Sequence, residues 1–181
     1  AIYGISKVLL KILRSADGVP PPDYIAAALD RIEPTFRKEQ FADYKAHRAA
    51  APDSLIAQIL RLPALFSAFN MQTFSAAGFE ADDMLGALAE QLKNEPDLHI
   101  IIISGDLDLL QLVQDKKVYV DIIKSGTNDM ERYDEQAVMK RFGLPPTRLI
   151  DYKGLVGDTS DNIPGVKGIG PKTARELLQE F

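Results

Sequence analysis

The chain has 181 residues, 46% hydrophobic and 26% charged, with no cysteine and a formal charge of −5. That length buries a real core in one α/β domain, or in one domain plus a small module. The lack of cysteine excludes disulfides and thiolate metal sites and points to the cytosol, and no apolar run, neither Tyr24 to Leu29 nor Ile100 to Ile103, approaches the length of a membrane span. Residues 1–14 repeat apolar side chains at helical spacing, with Ile2, Ile5, Val8, Leu9, Ile12 and Leu13 on one face. Ser15 to Asp23, with Gly18 and three consecutive prolines, reads as a loop. Tyr24 to Leu29 reads as a short buried strand that ends at Asp30.

Arg31 to Pro52 is basic, with Phe36, Phe41 and Tyr44 interleaved. If this segment is helical, Lys45 and Arg48 share a face. Pro52 opens a helix to about Phe69, with Leu55, Ile56, Ile59, Leu60 and Leu62 inward and a kink at Pro63. Met71 to Ala76 is a second strand, and Glu80 to Lys93 a helix with acids in its first turn. His99 to Ser104 is the clearest buried strand. A short helix at Asp106 to Val113 and a strand at Lys117 to Ile123 follow. Asp134 to Phe142 and Thr147 to Val156 are helical, and Ile163 to Phe181 reads helix–turn–helix. Strands alternating with helices predict a parallel sheet covered on both faces. The chain opens without Met and closes inside a helical pattern, so both ends read as cut from a longer protein.

The acids follow one geometry. Asp30 ends the first strand, Glu80, Asp82 and Asp83 follow the second, and Asp106 and Asp108 follow the third. Ligands of open parallel sheets bind at the carboxyl ends of strands. Asp158 and Asp161 add a second wall. Taken singly, Glu80 to Asp83 and Asp106 are ordinary helix caps. Eight acids crowded at one sheet edge would instead repel each other unless cations lay between them. An all-oxygen donor set without His or Cys suits magnesium or manganese, and two such ions form a clamp for in-line phosphoryl displacement. Setting those eight acids aside turns −5 into +3 for the rest, so net charge does not veto a nucleic-acid partner. The basic segment 31–48 supplies phosphate contacts and stacking rings, or else is a solvated loop. Gly165, Gly168 and Gly170 punctuate a turn that opens a helix, which lets backbone N–H groups approach a phosphate. The bland alternative is a plain loop between helices.

Four stretches carry a resemblance: LDRIEPTFRKEQFADYKAHR, GFEADDMLGALA, IIISGDLDLLQLV and GLVGDTSDNIPGVKGIGPKTA. In this order they make the chain resemble the 5′ nuclease (flap endonuclease) family, and most closely the 5′→3′ exonuclease domain of bacterial DNA polymerase I. The resemblance implies a PIN-like α/β core over residues 1–157 with a helical arch, and a helix–hairpin–helix-type module over 158–181. It implies metal-dependent cleavage of 5′ flaps and nicked or branched duplex DNA, in replication and repair. Glu80, Asp82, Asp83 and Asp106 match acids around a first metal, and Asp108, Asp158 and Asp161 those around a second. Asp30 matches an acid acting through outer-shell water. Arg37, Tyr44, Lys45 and Arg48 match arch-base residues, with Lys45 and Arg48 on the scissile phosphate.

The turn Gly165 to Gly170, with Lys167 and Lys172, matches the duplex-gripping element, which in this family often holds a potassium ion. The implied cofactors are two Mg²⁺, with Mn²⁺ as substitute. The implied partners are DNA and, in a parent chain, a polymerase domain; no membrane is implied and nothing demands an oligomer. The family's opening strand, ending in an Asp, has no counterpart here, and its final helices are likewise lacking. A binding-only reading therefore stands beside the nuclease one: a fragment that grips branched DNA without cutting. A phosphatase using an Asp nucleophile at Asp106 to Asp108, and a PIN-type ribonuclease, explain less of the chain.

Overall fold

The computed structural model describes residues 1–14, 20–124 and 129–181. Its elements in order are α1 (Ile2–Leu13), β1 (Ala26–Ala28), α2 (Phe36–Gln40), α3 (Asp53–Ile59), α4 (Leu62–Ala68), β2 (Gln72–Phe74), α5 (Ala81–Leu92), β3 (Ile100–Ser104), a 3₁₀ turn (Leu107–Leu112), β4 (Val118–Ile123), β5 (Met130–Tyr133), α6 (Glu135–Phe142), a short 3₁₀ turn (Pro146–Arg148), α7 (Leu149–Val156), β6 (Gly157–Asp158), β7 (Ile163–Pro164) and α8 (Pro171–Glu180). Two compact units divide the chain, one of residues 1–33 and 48–84, the other of 34–47 and 85–181. The expected loop from Ser15 to Asp23 lies partly outside the described residues, Gly18 included.

In the first unit β1 and β2 pair in parallel, Ala26 opposite Gln72 and Ala28 opposite Phe74. Helix α1 folds as its periodicity predicts. Leu9 is buried with Leu62, Phe66 and Met71, and Ile2, Ile5, Ile25, Ala27 and Leu29 pack around them. The single helix expected from Pro52 to Phe69 is two. The chain breaks at Leu60 and Arg61, and Pro63 sits in the first turn of α4, where a missing N–H costs nothing. Pro63 therefore starts a helix rather than kinking one. Of the residues expected inward, Leu62 is buried, but Ile56, Ile59 and Leu60 are exposed.

The second unit carries the larger core. β3 and β4 pair in parallel, Ile100 opposite Val118, and β5 returns antiparallel along β4, with Val120 opposite Tyr133. The parallel pairs are as expected; the antiparallel β5 was not foreseen. The isoleucine run predicts a buried strand, yet within β3 only Ile102 is buried and Ile101 is exposed. Leu110, Val118, Val120 and Val138 are sealed at the centre, with Leu109, Val113, Tyr133 and Leu149 around them. Burying one such aliphatic side chain is worth about 1.5–3 kcal/mol. The buried carboxylate Asp121 stands opposite Arg132 and accepts two guanidinium hydrogen bonds, of 2.8 and 2.9 Å. That contact holds the Arg132 charge firmly, raising its pKa above the usual value.

Helix α6 begins at Asp134, whose carboxylate accepts from the Ala137 N–H at 2.7 Å, and ends at Gly143 in the left-handed region, φ 71°. The expected helix–turn–helix from Ile163 to Phe181 is different. Ile163 and Pro164 form β7, which pairs antiparallel with β6, Asp158 opposite Ile163. The helix before the turn is α7. Gly157 (φ 79°) and Gly165 make this return possible. A Cβ on Gly157 would sit 2.6 Å from the Ile163 carbonyl oxygen, and one on Gly165 would lie 2.6 Å from that of Leu155. The Val166 N–H donates to the Leu155 oxygen at 2.8 Å and closes the turn. Ala174 of α8 is fully buried.

Candidate active site

β3 delivers the first carboxylates. Its β-branched run ends at Ser104, whose hydroxyl accepts from the Asp106 N–H at 3.1 Å. Asp106 then caps the following 3₁₀ turn, its carboxylate accepting from the Asp108 N–H at 2.8 Å. The capping reading of Asp106 is thus realised, and it orients Asp108. Asp158 enters from β6. Its carboxylate accepts from the Ser160 N–H at 2.8 Å and the Ser160 hydroxyl at 2.6 Å, an Asx-type turn that fixes the side chain.

Between Asp108 and Asp158 lies Lys153 of α7. Its ammonium is 2.6 Å from Asp108 Oδ1 and 2.7 Å from Asp158 Oδ2. These residues, with Gly105, Asp106, Leu107 and Ser160, line an open cavity of about 370 Å³. The two carboxylates titrate differently. Desolvation pushes the Asp108 carboxyl above its ordinary range, and the negative charges of Asp106 and Asp158 add to it, outweighing Lys153. Desolvation acts the same way on Asp158, but there the Lys153 ammonium and both Ser160 donors win and hold the carboxyl down to about 2. Burial opposes the charge on Lys153, yet the two carboxylates outweigh it and raise its pKa.

Asp161 follows three residues later. It accepts from the Tyr44 hydroxyl at 3.2 Å, and the Lys45 ammonium lies 3.9 Å away. The Lys45 N–H also donates to the Asp161 carbonyl at 2.9 Å, and Asn162 Nδ2 to the Asp43 carbonyl at 2.9 Å. The segment from Phe41 to His47 is thereby bound to the loop that carries Asp161. It is not the helix that the spacing of Lys45 and Arg48 presupposed. After the five residues of α2 the chain runs in turns, and Lys45 sits in the left-handed region at φ 53°. Tyr44, expected on the DNA-facing surface, is buried. Burying that ring and satisfying Asp161 outweigh helix propensity here. Arg37 stacks over the Phe36 ring, its guanidinium 4.6 Å from the centroid.

The other four acids belong to the first unit. Asp30 Oδ1 accepts from the Ala81 N–H at 2.7 Å, and Asp83 Oδ2 from the Glu80 N–H at 2.8 Å, half of a capping box. Both cap the start of α5, where Asp82 lies in the first turn. Arg48 also lies in this unit, and Lys45 in the other. Among the described residues no three His, Cys, Asp or Glu side chains stand close enough to hold a metal ion. The structure does bring Asp106, Asp108 and Asp158 to one cavity, with a cation already between two of them. In the turn after β7, Gly168 has φ 87°, Lys167 and Lys172 are exposed, and Gly170 precedes Pro171 at the start of α8.

Sequence reasoning passed over two residues that line this cavity, Lys153 and Ser160. Lys153 looks like an ordinary cation in a helix's last turn, and only packing brings it to Asp108. Ser160 had a signal, because Asp-x-Ser is an Asx-turn pattern.

Comparison with known proteins gives the family. Residues 1–143 match the 5′-3′ exonuclease N-terminal resolvase-like domain, and residues 144–181 the 5′-3′ exonuclease C-terminal SAM fold. DNA polymerase I of Caldicellulosiruptor bescii is 43% identical and that of Bacillus caldotenax 42%, each matched over the whole of this chain. The chain spans about a fifth of those relatives, 21% and 20% of their length. The T5 D15 protein co-crystallised with metal ions superposes with a TM-score of 0.76 at 26% identity, covering 99% of this chain and 67% of that one. The bacteriophage T5 D15 flap endonuclease in a pseudo-enzyme-product complex with DNA and metal ions gives 0.75 at 26% identity, with the same coverage. The catalytic core of Rad2 in complex with DNA substrate shares the fold, with a TM-score of 0.58 at 24% identity, covering 99% of this chain and 54% of that one. No helix among the described residues is long and apolar enough to cross a membrane. The chain belongs to the 5′-3′ exonuclease family.

Proposed function

We propose that this chain hydrolyses DNA phosphodiesters as a metal-dependent 5′→3′ exonuclease and 5′-flap endonuclease, in the cytoplasm, as the nuclease portion of a polymerase-type protein. The observation that carries the reading is the cavity at the end of β3, where Asp108 and Asp158 are drawn around one cation beside Asp106. An ammonium held at 2.6 and 2.7 Å by two carboxylates is a stand-in for a hard cation, and the all-oxygen donors suit Mg²⁺ or Mn²⁺. Asp108, Asp158 and Asp161 would hold one ion within this unit. The ions supply, when bound, charge neutralisation at the phosphate and acidity for in-line displacement.

The chain's own residues do the rest. Lys45, beside Asp161, offsets the charge that develops on the non-bridging phosphate oxygens. Tyr44 orients Asp161 through its hydroxyl, and Arg37 gives a further phosphate contact. The turn from Gly165 to Gly170, with Lys167, Lys172 and the N–H groups opening α8, grips duplex phosphates, and its carbonyls take K⁺. Residues 158–181 form this gripping module and 1–157 the catalytic core. The chain works as a monomer.

One observation favours a second reading, a module that binds branched DNA without cutting. No three acids gather into a metal group among the described residues. A 5′-labelled flap duplex incubated in magnesium, manganese and chelator separates the two. Cleavage near the junction in either metal and none in chelator is the expected result. Tight binding with no product in manganese gives the site to the second reading.

A further inference from the structure

Three elements meet on one ammonium: Asp108 from the 3₁₀ turn, Asp158 from β6 and Lys153 from α7. A solvated surface ion pair contributes little and has one partner. This lysine has two, both within 2.7 Å, and both line the cavity that also holds Asp106. Without a cation there, the carboxylates would repel across it. A divalent ion binds carboxylate oxygens at about 2.0–2.2 Å, so it and the ammonium cannot share the same oxygens.

We infer that Lys153 is an internal counter-cation, which keeps Asp108 and Asp158 assembled in the metal-free chain and must withdraw for a divalent ion to bind between them. The inference rests on the cation-site reading above. It has two consequences that pull apart. The site stays formed without metal, and metal affinity is lowered, because the ion competes with a tethered charge whose local concentration is high. Removing the charge should tighten divalent binding by about tenfold or more, given the strength of a unit charge at contact distance. It should also make the metal-free chain less stable and more dependent on added metal.

The test is a Mn²⁺ titration of the DNA-free chain, followed by the loss of the free-ion electron paramagnetic resonance signal, with Lys153→Met and Lys153→Arg beside the unsubstituted protein. Tighter binding by Lys153→Met, with Lys153→Arg close to the original, is the expected result. Equal or weaker binding by a folded Lys153→Met overturns the inference while leaving the cation site standing. No Mn²⁺ bound by either form overturns the site reading and this inference together. If Lys153→Met folds only with metal, the ¹⁵N signal of the Lys153 ammonium in the unsubstituted chain decides. Saturating Mg²⁺ moves it to the position of a solvated lysine if Lys153 withdraws, and leaves it in place if it does not.

Discussion

Asp108 and Asp158 share one ammonium and are pushed opposite ways, so their pH behaviour differs in sign. Asp158 is held down to about 2 from an ordinary 3.8, despite desolvation, by Lys153 and Ser160. Its contribution to stability is therefore complete above pH 3.8 and lost as pH falls through about 2. After solvent screening that contribution is about 1 kcal/mol. Urea unfolding in chelator between pH 5 and 2 should show a fall that is shallower by about this amount in Asp158→Asn. Asp108 runs the other way. With its carboxyl raised by desolvation, the folded state binds the proton more tightly, and stability is lost as pH rises above the ordinary carboxylate value. Asp108→Asn should therefore leave the metal-free melting temperature at pH 7 unchanged or higher, while abolishing cleavage. A clear drop in that temperature would contradict the assignment of Asp108 as a carboxylate kept for a cation. The acids themselves were legible, because each follows an apolar run. Their shared partner was not, since Lys153 and Asp108 are 45 positions apart and meet only through packing.

At the scale of elements, the return between α7 and β7 depends on two glycines pressed backbone to backbone. Gly157→Ala or Gly165→Ala drives a Cβ into main chain that cannot give way, and should cost about 3 kcal/mol or more and lose the β6–β7 pairing. Gly154→Ala, in the middle of α7 with open space around it, should instead stabilise by about 0.5–1 kcal/mol. Chemical denaturation of the three variants checks both signs. The β4–β5 ladder gives a third case. Arg132→Met strands the buried Asp121 carboxylate and should cost about 1–3 kcal/mol in the same measurement. Helices with caps were legible to within a residue or two, as α6 between Asp134 and Gly143 shows. Strand β5 was not. Met130 to Tyr133 is four residues of mixed polarity, and its pairing is fixed by Asp121 and Val120 across the ladder. The segment at Lys45 failed for a related reason. Its spacing suited a helix, but the buried Tyr44 ring and the bonds to Asp161 decide the backbone.

For the whole molecule, the order of the motifs pointed to the family, and the carboxylates to the proposed chemistry. If a chain of net charge −5 acts on DNA as proposed, its positive potential must be confined to particular surfaces. Binding to a flap duplex should accordingly weaken steeply as salt rises from 50 to 200 mM. Replacing Lys167 and Lys172 together should flatten that slope by one to two phosphate equivalents in a fluorescence anisotropy titration. The proposed role of the cavity at the end of β3 is that of a cation site that cuts phosphodiesters. The measurement that bears on it most directly is the single-turnover cleavage rate of a 5′-flap duplex in manganese, for the chain and for Asp158→Asn, with DNA affinity measured alongside. The expected rate for Asp158→Asn is lower by about 10²-fold or more at similar DNA affinity. An unchanged rate would contradict that role.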